Sequence, residues 1–183
     1  MKVLKEKMLF NSHSFLSGGI DRIDDDGVGW RKSLIARCEN DNLGIVFFDP
    51  CDKPKGLGSE IGLEKEKVKS LVELGLWEEA RECVKMFRHY DLRAIDRCDF
   101  VVVKIDINTH LCGTYNEIFL AERQNKPIFV IMGEGQKKKD IPTWLISFIN
   151  ENEIFESEDE FMIYLNKINN GEIELDKRWV KLY

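Results

Sequence analysis

Short apolar segments alternate with longer amphipathic segments along this chain. The apolar segments, rich in β-branched and aromatic residues, predict strands at 13–17, 45–48, 100–105, 128–132 and 154–155. The amphipathic segments predict helices at 30–40, 64–88, 114–125, 142–150 and 158–169, the second of them interrupted near Gly75. This alternation predicts an α/β, flavodoxin-like three-layer sandwich with a five-stranded parallel sheet, in the strand order 2-1-3-4-5.

Length and charge limit the class of protein. A chain of 183 residues with 43% hydrophobic content is long enough for one core, so we expect a single domain over residues 1–183. The net charge of −6 and the lack of a large basic cluster argue against binding to a nucleic acid polymer. No apolar run approaches the roughly 20 residues of a membrane span, and the first residues are charged. We therefore expect a cytoplasmic protein that does not bind membranes.

The cysteines and histidines do not predict a metal site. The five cysteines form no C-x-x-C pair, and neither they nor the three histidines have zinc-ligand spacing, so we expect free thiols and no metal. The glycine-rich fingerprints of dinucleotide and nucleoside triphosphate sites are also missing from the sequence. We accordingly expect no cofactor.

Two carboxylates flank the third predicted strand, Asp91 before it and Glu117 at the start of the helix after it. Ligands of open α/β sheets bind at the carboxyl ends of the strands, and a carboxylate pair there suggests glycosidic-bond chemistry. One carboxylate would act as the nucleophile and the other would handle a proton. Structural alternatives exist, since Thr114 and Glu117 match a capping box and Asp91 could cap a short helix at 92–97.

Loops rich in glycine and charge follow the predicted strands. Ser17, Gly18 and Gly19 end the first strand, where the glycines let backbone amides approach a ligand closely, although a glycine pair also forms ordinary turns. The loops at 49–62 and 133–140 have the composition of segments that can move over a pocket.

Taken together, these segments resemble the nucleoside 2-deoxyribosyltransferase family and related nucleotide N-glycosidases. The resemblance runs over most of the chain and is carried by Phe-Leu-Ser-Gly-Gly-Ile-Asp at 15–21, Gly-Trp-Arg at 29–31, Phe-Phe-Asp-Pro at 47–50, Asp-Leu-x-x-Ile-x-x-x-Asp-Phe-Val-Val-Val at 91–103, Gly-Thr-Tyr-Asn-Glu-Ile-x-x-Ala at 113–121, Lys-Pro at 126–127, Ile-Pro-Thr-Trp-Leu at 141–145 and Arg-Trp-Val at 178–180. The specific part is the spacing between Asp91 and Glu117, with a hydrophobic strand between them.

The resemblance implies that Glu117 is the nucleophile and that Asp91 contacts or protonates the base. It also implies substrate contacts at Phe15, Ser17, Gly18, Gly19, Asp21, Asp49, Gly113 and Thr114. The expected reaction transfers 2-deoxyribose between nucleobases through a covalent deoxyribosyl-glutamate, without a cofactor. Its partners would be deoxynucleosides or deoxynucleotides and free nucleobases. The alternatives are a nucleoside or nucleoside 5′-monophosphate N-glycosidase and a non-catalytic nucleotide-binding module.

The sequence departs from the family pattern at two positions. Phe15 stands where the family usually has a tyrosine, and Leu111 stands six residues before the nucleophile, where the family has an aspartate or a serine. Asp106 or Asn108 could substitute for the missing polar group, and Tyr115 could supply a hydroxyl.

The chain end carries a prediction about assembly. In some family members the chain end completes a neighbour's active site, so we expect a homodimer or higher homo-oligomer in which Tyr183 reaches a neighbouring pocket. In the alternative, Trp179 and Leu182 cover the chain's own sheet.

Overall fold

A computed structural model describes residues 7–54 and 56–180, and within them the strands form a single five-stranded parallel sheet. The strands are β1 (His13–Gly18), β2 (Val46–Phe48), β3 (Phe100–Ile105), β4 (Ile128–Met132) and β5 (Ile154–Phe155). Their order is β2-β1-β3-β4-β5, and every neighbouring pair is parallel. The predicted fold class, strand positions and strand order are confirmed.

Helices cover both faces of this sheet. They are α1 (Val28–Asn40), α2 (Gly62–Glu73), α3 (Trp77–Arg97), α4 (Cys112–Arg123) and α5 (Glu158–Asn169). Buried residues of α3 and α4 pack on one face, and buried residues of α1 and α5 pack on the other. Helix α2 buries no residue and contacts α3.

Strand β3 divides its side chains between these two faces. Val101 and Val103 join Phe15 in the core beneath α3 and α4, whereas Phe100 and Val102 lie in the core beneath α1 and α5. Successive side chains of a strand point to opposite faces, and a central parallel strand is buried on both. The carboxyl ends of β1, β3 and β4 therefore meet at one edge of a rigid sheet.

The predicted end of the long helix near residue 88 is wrong. Helix α3 does not stop near residue 88 but continues to Arg97, because Asp91, Ala94 and Ile95 extend its buried face. Asp91 therefore lies inside a helix and does not cap a new one. The predicted break near Gly75 is confirmed, since α2 ends at Glu73 and Gly75 has a φ of +74°.

The predicted helix at 142–150 is replaced by one short 3₁₀ turn, and a second such turn follows it. These turns span Thr143–Ser147 and Glu151–Glu153. Phe148 ends the first turn with a φ of −145°, outside the α-helical region, so a regular helix does not continue to residue 150.

The alternative of a capping box at Thr114 and Glu117 is not found. Helix α4 begins at Cys112 and has Leu111 at its N-cap, without a side-chain hydrogen bond. Thr114 is a buried residue within the first turn, and Glu117 lies one turn further along.

Trp179 packs on the chain's own sheet. Its ring centre lies 5.0 Å from that of Phe100 and 6.2 Å from that of Phe129. Leu182 and Tyr183 lie outside the described residues. Within the part of the chain that the structure describes, no helix is both long and apolar enough to span a membrane.

Candidate active site

A pocket of about 110 Å³ lies at the carboxyl ends of β1 and β3. It is lined by Gly18, Gly19, Ile20, Asp21, Pro50, Glu60, His110, Cys112, Gly113, Thr114 and Glu117. The structure therefore brings the predicted glycine turn, Asp21 and the start of α4 together around Glu117. This is the edge of an open α/β sheet at which ligands bind.

Glu117 points from α4 toward the end of β1, where its carboxylate accepts a hydrogen bond from the Ser17 hydroxyl. Ser17 itself is fully buried. Burial raises the pKa of Glu117 to about 7, and the negative charges of Asp91 and Glu60 act in the same direction. The Ser17 hydrogen bond and the Arg31 charge lower this pKa. The carboxyl of Glu117 thus exchanges its proton near neutral pH.

Asp91 lies behind the pocket and is 2% exposed. Its Oδ2 is 2.7 Å from the Nζ of Lys53, whereas its Oδ1 accepts no hydrogen bond from the described residues. Burial raises the pKa of Asp91 to about 7, against the opposing charge of Lys53. Within residues 7–54 and 56–180, Asp91 is not among those that line the pocket.

Lys53, in the segment between β2 and α2, is a site residue that the sequence analysis missed. Its side chain is 2% exposed, and its ammonium lies 5.4 Å from the ring centre of Phe87 and 5.6 Å from that of Tyr90. A buried ammonium needs a counter-charge, which Asp91 supplies, and the two rings add cation–π attraction. A single lysine in an irregular segment has no sequence signal that predicts this burial.

Glu60, in the same segment, lines the pocket together with Glu117 and was also missed. Burial raises the pKa of Glu60, while the charges of Lys53 and Arg31 lower it. The site therefore holds a third carboxyl group that faces the space a ligand would occupy.

Arg31 fixes the glycine turn after β1. It is fully buried, and its guanidinium donates hydrogen bonds to the carbonyl oxygens of Leu16, Gly18 and Gly27, at 3.3, 2.9 and 2.8 Å. Its Nε is also 3.6 Å from Oδ1 of Asp49. Asp49 therefore lies beside a buried arginine, and Arg31 brings a positive charge close to the three carboxyl groups.

Two further predicted residues lie in a neighbouring loop. The Asp106 carboxylate accepts hydrogen bonds from the Asn108 backbone at 2.9 Å and from Nε2 of Gln136 at 2.6 Å, and the Asn108 side chain is exposed. Asp106 lines a separate pocket of about 280 Å³ that also includes Trp30. The structure thus does not bring Asp106 into the pocket of Glu117.

Phe15 and Leu111, the two departures from the family pattern, are both core residues. Phe15 is 0% exposed and Leu111 is 5% exposed, and both belong to the core beneath α3 and α4. Tyr115 packs partly buried against that same core. A substrate contact at Phe15 finds no support in this arrangement, and the predicted contact at Tyr183 lies outside the described residues.

The site combines three ionisable carboxyl groups with two buried cations. Glu117, Glu60 and Asp91 all have raised pKa values. The Arg31 charge opposes all three of these shifts, and the Lys53 charge opposes those of Glu60 and Asp91. Such a cluster can supply both an ionised carboxylate and a protonated carboxyl near neutral pH. Within the described ranges, no group of three or more His, Cys, Asp or Glu side chains is arranged to hold a metal ion.

The chain is similar to several solved structures, one of them with a TM-score above 0.5. A 2-deoxyribosyltransferase from Bacillus psychrosaccharolyticus is 16% identical, with 82% of this chain and 90% of that chain covered and a TM-score of 0.56. A CMP N-glycosidase from Clostridium botulinum is 16% identical, with 85% and 99% covered and a TM-score of 0.45. A conserved protein from Enterococcus faecalis V583 is 15% identical, with 87% and 88% covered and the same TM-score of 0.45. No protein-family model and no curated protein sequence matches the chain.

Proposed function

We propose that this protein cleaves the N-glycosidic bond of a 2′-deoxynucleoside or deoxynucleotide and transfers the sugar to another nucleobase. The observation that carries the proposal is the Glu117 carboxyl, which lines a pocket at the sheet edge and accepts a hydrogen bond from buried Ser17. The fold is shared with a 2-deoxyribosyltransferase, which supports the same chemistry by analogy.

In the proposed reaction, ionised Glu117 attacks C1′ of the deoxyribose while the bond from C1′ to the base nitrogen breaks. The transition state resembles an oxocarbenium ion, and the product is a deoxyribosyl ester of Glu117. The base departs with a proton from the carboxyl cluster of Asp91 and Glu60. A second base then attacks C1′ and frees Glu117.

Ser17 and the cluster charges would set the working pH. The Ser17 hydroxyl lowers the pKa of Glu117, whereas burial and the neighbouring carboxylates raise it to about 7. The nucleophile must be ionised while the acid is still protonated, so the pKa of the nucleophile has to lie below that of the acid. Because several neighbouring carboxyls have raised pKa values, one of them can be ionised while another is protonated near neutral pH.

Incubation of the protein with deoxyinosine plus adenine, and with deoxyinosine in buffer alone, tests the proposal. Product chromatography should show new deoxyadenosine in the first mixture, and the assay should be repeated with deoxyinosine 5′-monophosphate as donor. Free hypoxanthine without deoxyadenosine would make the protein an N-glycosidase. Neither product from any donor would contradict the enzymatic proposal and favour a nucleotide-binding module.

Two variants serve as controls for this assay. Glu117→Gln removes the nucleophile but keeps an oxygen that can accept the Ser17 hydrogen bond, and it should lose several orders of magnitude in rate. Glu73→Gln makes the same chemical change at an exposed position on α2 and should retain the wild-type rate. Equal activity of the two variants would remove Glu117 from the mechanism.

A further inference from the structure

Glu60 and Asp91 differ in their access to the pocket. Glu60 lines it together with Glu117, Gly113 and Thr114. Asp91 is 2% exposed and, in the part of the chain that the structure describes, is not a lining residue. A molecule in the pocket can therefore touch Glu60 directly, whereas Asp91 lies one layer behind it.

The hydrogen bonds of Asp91 indicate where a proton belongs. Its Oδ2 faces the Lys53 ammonium at 2.7 Å, and its Oδ1 has no donor among the described residues, although both atoms are buried. A buried carboxylate oxygen without a donor is costly. The negative charge of Glu60 raises the pKa of Asp91, so the two carboxyls compete for ionisation. A proton on Glu60 would remove this repulsion and leave Asp91 ionised opposite Lys53.

Lys53 also fixes the backbone that carries Glu60. Both residues belong to the segment between β2 and α2, and the Lys53 ammonium is held by Asp91 and by the rings of Phe87 and Tyr90 on α3. The ion pair between Lys53 and Asp91 thus anchors this segment against α3. The position of Glu60 in the pocket depends on that anchor.

We propose that Glu60 is the general acid of the glycosyl transfer and that Asp91, together with Lys53, is a positioning residue that holds the segment carrying Glu60 against α3. This inference rests on the function proposed above. As the bond from C1′ to the base breaks, its electron pair stays with the base, and a ring nitrogen of the base takes the Glu60 proton. Glu60 becomes a carboxylate, and a Glu117 oxygen bonds to C1′. When a second base or water attacks C1′, the bond from C1′ to the Glu117 oxygen breaks and frees the Glu117 carboxylate, and the attacking group gives its proton back to Glu60.

The charged groups around Glu60 are consistent with this role. Lys53 and Arg31 favour its ionised form, whereas Asp21 and the burial of the carboxyl oppose it. The two cations would stabilise the carboxylate that forms when the proton leaves, and the Asp21 charge would favour the proton's return. A general acid needs this balance because it must both give and regain its proton within one turnover.

The test compares Glu60→Gln and Asp91→Asn on two donors. Deoxyinosine needs a proton on its departing base, whereas 7-methyl-2′-deoxyguanosine has a positively charged base that leaves without one. We expect Glu60→Gln to lower kcat for deoxyinosine by about 10²–10⁴-fold. The same variant should change kcat for 7-methyl-2′-deoxyguanosine by less than about tenfold. The variant should also lose the fall of kcat at alkaline pH. Asp91→Asn should reduce kcat/KM for both donors by similar factors, because it loosens the segment that carries Glu60.

Further variants and outcomes distinguish a failure of this inference from misfolding of a variant and from a failure of the proposed function. Glu60→Asp keeps an acid and should recover part of the deoxyinosine rate, and Glu73→Gln should behave as wild type; circular dichroism verifies the fold of each variant. A wild-type deoxyinosine rate in Glu60→Gln, or donor discrimination in Asp91→Asn but not in Glu60→Gln, would overturn the inference alone. A wild-type protein inactive on both donors would overturn the proposed function and this inference with it.

Discussion

The hydrogen bond from Ser17 to Glu117 sets the ionisation of the proposed nucleophile. Because this bond lowers the pKa of Glu117, Ser17→Ala should raise that pKa further and reduce the ionised fraction at neutral pH. We expect kcat/KM to fall by about tenfold at pH 6–7 and to recover toward the wild-type value near pH 8.5. The acid limb of the pH profile should move to higher pH.

Ser33→Ala provides the matched control for this prediction. Ser33 also donates a hydrogen bond to a glutamate, Glu158, at 3.1 Å, but on the exposed surface of α1. Its removal should leave the pH profile unchanged. A loss in Ser17→Ala that is the same at every pH would show that Ser17 acts only on the position of Glu117.

At the residue scale, sequence reasoning found groups that follow strands and missed groups in irregular segments. Glu117 and the turn at Gly18 could be predicted because the end of a parallel strand fixes where the next residues lie. Lys53 and Glu60 lie between β2 and α2, where no periodicity relates sequence position to direction. Only the packing of this segment against α3 brings them to Asp91.

At the element scale, the turn between β1 and α1 depends on one glycine. Gly27 has a φ of +69°, and a Cβ at this position would lie 2.3 Å from the carbonyl oxygen of Gly19. Gly27→Ala should therefore displace the pocket turn, lower the free energy of unfolding by more than about 2 kcal/mol and abolish activity. Urea denaturation and the transfer assay measure the two effects.

Gly75→Ala separates crowding from backbone strain. Gly75 has a similar φ of +74°, between α2 and α3, but an added Cβ there would meet no atom within 4 Å. Gly75→Ala should lower the free energy of unfolding by only about 1 kcal/mol, because alanine disfavours this backbone conformation, and it should leave activity intact. Equal losses in the two alanine variants would mean that contact with Gly19 does not matter.

Strands were easier to predict than helix ends. The central strands are buried on both faces, so their apolar runs define their limits, and β3 and β4 match the prediction residue for residue. The end of α3 and the start of α4 depend on tertiary packing of Asp91 and Thr114, which are buried polar residues. Polar residues of this kind are typical helix caps in isolation, and the sequence does not reveal that the fold buries them.

At the scale of the whole molecule, the C-terminal segment has two separable roles to test. Trp179 packs on Phe100 and Phe129, so a chain that ends at Arg178 should lose about 2–4 kcal/mol of stability through the lost aromatic burial. A chain that ends at Val180 keeps this contact. If Tyr183 completes a neighbour's pocket, the second truncation should lower turnover and oligomer size by light scattering without changing stability. Full activity in the second truncation would exclude a shared site.

The carboxyl cluster should also make the stability of the whole protein depend on pH. Glu117 and Asp91 have pKa values raised to about 7 in the fold, above ordinary values of 4.5 and 3.8, so the folded state binds their protons more tightly than the unfolded chain does. Glu117 and Asp91 do not change the stability at low pH, but they destabilise the fold as the pH rises from about 4 to above 7. Asp25 and Asp176, whose pKa values are lowered, act in the opposite direction but only below about pH 4.

Glu117→Gln should therefore be more stable than the wild type at pH 8, by about 1–3 kcal/mol, while it loses its activity. The difference should shrink toward zero at pH 5, where the wild-type carboxyl is already protonated in the fold. Urea unfolding at several pH values measures it, with Glu73→Gln as the exposed control that should follow the wild type throughout. A difference that does not change with pH would show that the fold does not raise the pKa of the Glu117 carboxyl. The working pH of the proposed reaction, which depends on that raised pKa, would then have no basis.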